Sequence, residues 1–384
     1  MNSRRRLIKT LNHEIPDKIP CTAAIGSYFL NSRKDKYGKM SSSTFLKTLG
    51  YDVFNWVGFN SKSKNVLVQT YIGDKLYKSV EGGNWINEFY DYIFNVNFYR
   101  RFGKKEIKRK FVTSLGELTV KFLYSRESNT AFIAELPIKK LQDYKIFSYM
   151  INDIEYIKLD EDFKQKEDDI GKYGINVACL HSTPAYELIQ CFMGLERFLY
   201  MLYDYKRETI DLMDKMFIKY RECYKIYSKT AIRAFLVPED ASTTLYSPKI
   251  FNKYFKPVLE EYCRIIKDSG KIAIIHACGH LRGLANYLKE TGADCIESVS
   301  PPPTGDINID ELKKILPGYC IMGGIPANYF LLELNDFKKY VKELILKSKK
   351  GGNFILSSGD AVPRDAKIDN LRVIPELVWL YGQY

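Results

Sequence analysis

The chain has 384 residues, 46% of them hydrophobic and 27% charged, which is ordinary globular composition and enough length for one large barrel or two smaller domains. Its formal charge of +12 invites a nucleic-acid reading, but the lysines are spread among acidic residues and no helix-turn-helix, zinc-finger or RNA-binding signature accompanies them. No run is apolar enough for a membrane span, Met1-Asn-Ser-Arg-Arg-Arg lacks a signal peptide's apolar segment, and the eight scattered cysteines read as reduced thiols, so a cytoplasmic protein without nucleic-acid or membrane partners is expected.

Residues 3–20 read as a short capped helix that ends before Pro16, and a first strand follows at Cys21–Ile25. Ser41–Leu49 is predicted helical with Gly50 as its stop, and Tyr51–Val57 as a second strand. From about 64 to 135 the pattern turns β-rich, with Gly82-Gly83 and Gly103 as turn signals, which predicts an antiparallel insertion. Its Trp85, Tyr90, Tyr92 and Phe94 are expected to form local core, and the basic stretch Arg100–Lys110 a solvated hairpin.

Beyond Pro137 helix and strand alternate. Helical stretches are predicted at Leu141–Lys158, Tyr186–Tyr203 and Lys206–Thr230, and a long one opens at Ser247-Pro248 and runs to Asp268. Strand starts at Cys21, Val53, Ile175, Ala234, Ile272, Ala293, Tyr319 and Asn353 make eight, which predicts a (β/α)8 TIM barrel, an α/β fold, over the whole chain 1–384 with the insertion at about 64–135. An open doubly wound sheet is the alternative, and no Gly-x-Gly-x-x-Gly or Walker sequence marks a nucleotide site.

In a parallel barrel, ligands meet the carboxyl ends of the strands, and here those ends are polar. They carry Glu239-Asp240, His276-x-Cys278, Glu297-Ser298 and Ser357-Ser-Gly-Asp360, while Gly323 and Gly324 leave room for a ligand beside the backbone. Side chains alternate along a strand, so His276 and Cys278 share a face and supply half of a tetrahedral zinc site. The alternative for this pair is a packed histidine and a buried thiol. His181 reads as a general acid–base group or a cap before Thr183-Pro184, and His280 as a helix cap. Tyr186, Tyr246 and Tyr329 read as walls for a planar ligand.

At these residues the sequence resembles the uroporphyrinogen decarboxylase superfamily. The resemblance runs from Ser3–Pro20 through Glu239-Asp240, Ser247-Pro-Lys-Ile-Phe251, His276-Ala-Cys-Gly279, Gly292-Ala-Asp294 and Gly323-Gly-Ile325 to Asp360, Pro363 and Asn370. It implies a (β/α)8 barrel with its site at the strand ends. The haem-pathway decarboxylase carries an Arg-Gln-Ala-Gly-Arg segment where this chain reads Ala24-Ile-Gly-Ser-Tyr-Phe-Leu-Asn31, and the chain is more similar to the corrinoid-dependent methyltransferase branch. That likeness implies zinc on His276 and Cys278 and a methyl group exchanged between a corrinoid partner protein and a small thiol or folate-type acceptor; a homodimer is compatible with it, and the strand-end groups Glu239, Asp240 and His181 are expected as the catalytic ones. Where a further Cys ligand would stand the chain has Ser358-Gly359-Asp360, so Glu297 and Asp360 complete the expected ligand set. The alternatives are a decarboxylase acting on a tetrapyrrole or polycarboxylate, with Arg233, Arg282 and Arg364 as anion binders, and a non-catalytic corrinoid or tetrapyrrole binder.

Overall fold

The computed structural model describes residues 1–33, 35–86, 89, 106–125, 130–158 and 160–384. The expectations for Tyr90, Tyr92, Phe94, Gly103 and the first part of Arg100–Lys110 lie outside them. Contacts divide the chain into two compact units, one of residues 1–58, 160–180 and 228–384, the other of residues 59–159 and 181–227.

The first unit is an α/β structure around a seven-stranded, wholly parallel sheet. Its strands are β1 (Val53–Val57), β2 (Gly174–Cys179), β3 (Ala234–Val237), β4 (Ile272–His276), β5 (Cys295–Val299), β6 (Cys320–Ile325) and β7 (Phe354–Ser358), each paired with the next in chain order. Runs such as Ile272-Ala-Ile-Ile and Ala234-Phe-Leu-Val are apolar on both faces because helices cover one face and the other packs on itself. Val177, Leu236, Ile274, Met322 and Ile355 meet in that inner core. Each fully buried aliphatic side chain contributes about 1.5–3 kcal/mol.

The expected strand Cys21–Ile25 is corrected to a single parallel bridge, Cys21 with Leu356. Pro20 has no N–H to give, Cys21 N donates to the Asp52 carboxylate at 2.9 Å, and Ala24 N donates to Ser358 Oγ at 3.0 Å, so a regular ladder cannot form. The segment still touches both outer strands' ends: Leu356 N donates to Pro20 O, Thr22 N to Leu356 O, and Asp52 N to Cys21 O.

Local signals were obeyed at the helix ends. Ser41 Oγ accepts from Thr44 N to cap helix Ser42–Leu49, and Gly50 closes it at φ 84°. The long helix predicted from Ser247 is instead interrupted by a π turn at Phe251–Phe255. Pro257 follows two residues on; it cannot donate to the preceding turn and its ring crowds that turn's carbonyl, so the register widens.

The second unit holds the antiparallel insertion. Its five-stranded sheet runs Lys75–Glu81, Leu67–Ile72, Glu106–Thr113, Gly116–Ser125, Thr130–Glu135 in spatial order. Trp85 packs edge-on against Phe111 and Phe147, the local core expected of it. The helix expected over Leu141–Lys158 stops at Asn152, because Glu155–Ile157 pairs with Asn60–Lys62 as a short antiparallel ribbon. Among the described residues no helix is long and apolar enough to cross a membrane.

Candidate metal centre

The site grows from three neighbouring strand ends of the first unit. β3 runs out at Val237 into Pro238-Glu239-Asp240, β4 ends on His276, and β5 carries Glu297 directly opposite His276 in register. Beyond β4 the chain is strapped to the β3 loop. His280 N donates to Ser242 Oγ at 3.1 Å and Thr243 N to His280 O at 3.0 Å. Gly279, at φ 98°, allows this approach, since a Cβ there would lie 2.8 Å from Ser242 Oγ. His280 therefore serves through its backbone.

The strap brings Cys278 beside Asp240. Asp240 Oδ1 accepts from Cys278 Sγ at 3.4 Å and lies 3.3 Å from His276 Nε2. One nitrogen of His276, Cys278 Sγ and one Asp240 oxygen lie within 4.8 Å of one another, a cluster that could hold a metal ion. On the other side of the ring, Glu297 Oε2 sits 2.5 Å from His276 Nδ1, and its side chain is 1% exposed against 16% for His276. Burial opposes a charge on His276, but the Glu297 carboxylate and the hydrogen bonds the ring makes to Asp240, Cys278 and Glu297 outweigh it and hold the imidazole pKa well above 6.5. Burial pushes the Cys278 thiol up; His276 pulls it down, while Asp240 and Asp360 push it further up.

Of the four expected ligands, His276 and Cys278 fall in this cluster, and Glu297 and Asp360 lie outside it. Asp240, expected as an acid–base group, lies beside both His276 Nε2 and Cys278 Sγ, while Glu297, expected as a ligand, meets the far nitrogen of His276. Asp360 is exposed and turned to its own Ala361 N at 2.5 Å, though its charge still reaches Cys278. Glu239 is fully buried, and Tyr246 OH donates to its Oε1 at 3.4 Å and to Asp240 O at 3.2 Å. Tyr246 is itself buried against Phe255, 4.2 Å between ring centroids, so it braces the β3 loop. Tyr329 packs edge-on with Tyr340 at 4.6 Å.

The room left by Gly323 and Gly324 is filled by protein. A Cβ on Gly323 would come within 2.2 Å of Val299 O, and one on Gly324 within 3.0 Å of Leu344. These glycines permit close strand and helix packing, a requirement that the sequence alone does not distinguish from ligand space.

His181 belongs to the second unit, where its ring is buried. Nδ1 faces Glu187 Oε1 at 3.0 Å, Nε2 faces Tyr156 OH at 3.0 Å, and Tyr220 stacks on it at 3.7 Å. Glu187, which sequence reading missed, also accepts from Ser182 N and Tyr220 OH. Its signal was a carboxylate in the first turn after the Thr183-Pro184 helix start, from where it can fold back on the preceding loop.

No curated protein matches the sequence. The sequence model of the family described as uroporphyrinogen decarboxylase (URO-D) matches residues 183–379, half of the chain. Among solved structures, a methyltransferase from Methanosarcina mazei superposes with a TM-score of 0.62 at 11% identity, covering 99% of each chain. A 3-keto-D-glucoside 4-epimerase from E. coli reaches only 0.33 at 10% identity, over 65% of this chain and 95% of that one. A thiamine phosphate pyrophosphorylase from Pyrococcus furiosus reaches 0.21 at 14%, over 41% and 90%. At those scores the last two carry no argument.

Proposed function

This chain belongs to the uroporphyrinogen decarboxylase (URO-D) family, and from that premise we propose that it is a methyltransferase that moves a methyl group between a corrinoid carried by a partner protein and a thiol or folate-type acceptor, with zinc held by His276, Cys278 and Asp240. The observation that carries this reading is the cluster of imidazole, thiol and carboxylate at adjacent strand ends, braced by Glu297. The proposed scaffold is a (β/α)8 barrel in which the Pro20–Thr22 segment stands in the eighth strand's position, supported by its hydrogen bonds to β7 and to Asp52.

The residues fit zinc. Nitrogen, sulfur and oxygen donors are its usual set, and three protein donors leave a fourth position for a substrate. When bound, the metal would supply Lewis acidity that favours the deprotonated acceptor. The chain's own part is orientation. Once His276 gives up one proton to bind metal, Glu297 would keep the remaining one on Nδ1, leaving the Nε2 lone pair for the metal and fixing the plane of the ring. Tyr246 holds the Asp240 backbone through its carbonyl, and the Ser242 strap holds Cys278 against Asp240.

The decarboxylase reading would need cations to receive carboxylates. Arg282 is already committed to Asp306 O and Glu311, and the Ala24–Asn31 segment has no arginine. The test is metal analysis of tag-free protein, followed by incubation with methylcobalamin and a panel of thiol and folate acceptors while the cob(I)alamin spectrum is followed. About one zinc per chain and acceptor-dependent demethylation are expected. Zinc-free protein that binds corrinoid without turnover would replace this reading with that of a corrinoid binder.

A further inference from the structure

Glu297 belongs to two features of the first unit. Its carboxylate braces His276, and its side chain also forms part of the wall of a cavity of about 160 Å³. We infer that this cavity is a subsite for a small uncharged organic molecule bearing a hydrogen-bond acceptor such as a hydroxyl, and that in the methyl-transfer reading, on which this assignment rests, its occupant is the acceptor substrate.

Size is the first argument. A cavity of ~150 Å³ takes a benzene-sized molecule of about six non-hydrogen atoms, so the enclosed part of this one suits a small thiol or alcohol better than a pterin. Charge is the second. Among the described residues that line it none is a lysine, arginine or histidine, and the one ionisable wall group is the Glu297 carboxylate. A sulfonate or carboxylate would enter with no partner and with a negative charge beside it, which disfavours an anion.

The third argument is a hydrogen-bond count. Most polar wall groups are already engaged: Ser42 Oγ donates to Ile25 O at 2.7 Å, Ser43 Oγ pairs with Ser41 Oγ at 3.2 Å, and Asn55 Nδ2 donates to Asn176 Oδ1 at 2.7 Å. Thr22 and Ser357 also line the cavity, are 2% and 1% exposed, and their hydroxyls have no partner. Buried hydroxyls are normally paired; these two oxygens are covered in their present rotamers, and a turn about χ1 would offer either of them to an acceptor in the cavity. The remaining wall, including Phe54, Trp56 and Met322, is apolar and suits the hydrocarbon part of such a molecule.

The test uses the zinc-loaded full-length protein and two thiols that share a mercaptoethyl arm, 2-mercaptoethanol and 2-mercaptoethanesulfonate, with binding read by calorimetry. Because the thiol end is common, the affinity ratio reports on the other end. The neutral member is expected to bind about 10-fold or more tightly than the anion. Thr22→Val and Ser357→Ala should each weaken the neutral member about 3- to 10-fold without lowering the melting temperature, since each removes a hydroxyl that has no partner in the protein. Equal or tighter binding of the sulfonate, no effect of either substitution, or no binding of the neutral thiol at millimolar concentration would overturn the assignment. Methyl transfer to the anion alone sinks the subsite and leaves the proposed function standing. Selective binding of the neutral thiol without methyl transfer does the reverse.

Discussion

Glu297 Oε2 lies 2.5 Å from His276 Nδ1, and the two residues are direct partners across β4 and β5. The bond fixes the tautomer and orientation of His276 and raises its basicity, so Glu297 acts through the imidazole. Glu297→Gln is expected to weaken zinc binding about 10- to 100-fold while leaving the fold intact, as measured by competition with a chelating dye. The pH dependence carries a second signature. His276 must lose its proton to bind metal, and its raised pKa makes protons strong competitors, so zinc uptake should fall as pH drops even above 6.5. Removing the Glu297 charge lowers that pKa, so the midpoint of uptake should move to lower pH in the variant.

Which carboxylate joins the proposed zinc site can be tested by substitution. Asp240 Oδ1 lies within hydrogen-bonding reach of both His276 and Cys278, whereas Asp360 is exposed and bonded to Ala361 N. Asp240→Asn should cut zinc affinity by more than about 10-fold, and Asp360→Asn should change it less than about 3-fold. Stoichiometry measured after dialysis would decide it. The opposite ranking would restore Asp360 to the ligand set.

Seven of the eight predicted strands, the antiparallel insertion and the His276–Cys278 pair could be read in the sequence because each is a local pattern, an apolar run or a two-residue alternation. The division of labour between carboxylates could not. Asp240, Glu297 and Asp360 are equivalent as strand-end acids, and what separates them is adjacency. β3 and β5 flank β4, while Asp360 follows β7. That ordering follows from chain-order pairing, so it could have been argued from the strand count. The side on which Glu297 meets the ring, and the Ser242 strap, depend on contacts between distant segments and left no local trace. Cys21–Ile25 failed as a strand because Asp52 and Ser358 side chains capture its backbone donors.

One of those donors, Cys21 N, is held by a carboxylate of a buried ionic knot. Arg6 Nη1 donates to Asp52 Oδ1 at 2.6 Å, and the guanidinium also holds Asp17. Arg6→Leu should destabilise by about 3–5 kcal/mol in urea titrations, since it leaves Asp52 buried and unpaired. Burial would raise the Asp17 pKa, but Arg6 and the amino terminus outweigh it and hold the carboxyl well below its usual 3.8. Asp17 is deprotonated more readily folded than unfolded, so its contribution is full above about pH 4 and fades as pH falls through the lowered folded value. Asp17→Asn should therefore lose stability relative to wild type at neutral pH, and the gap should narrow on acidification.

The last prediction concerns how Glu297 is aimed. The pairing of β5 with β6 slips between Ile296 and Val299, so Glu297 and Ser298 together stand against Met322 alone. Ser298 absorbs the extra residue at φ 67°, a left-handed conformation that is uncommon for a side-chain-bearing residue. Gly323, at φ 140°, permits the close passage of Val299 on the other strand. A bulge beside a strand end redirects the side chains around it, and here they are those of the residue that braces His276. Ser298→Gly should keep the geometry, with zinc affinity within about 3-fold of wild type, because glycine adopts this conformation freely. Ser298→Val should cost about 1–3 kcal/mol, because a β-branched residue resists it, and should weaken zinc binding in parallel with Glu297→Gln. Gly323→Ala, whose Cβ meets Val299 O, should cost about 2 kcal/mol or more. Unfolding midpoints and zinc titrations on the same three variants separate the effects, and a Ser298→Val protein that keeps full zinc affinity would refute the aiming role of the bulge.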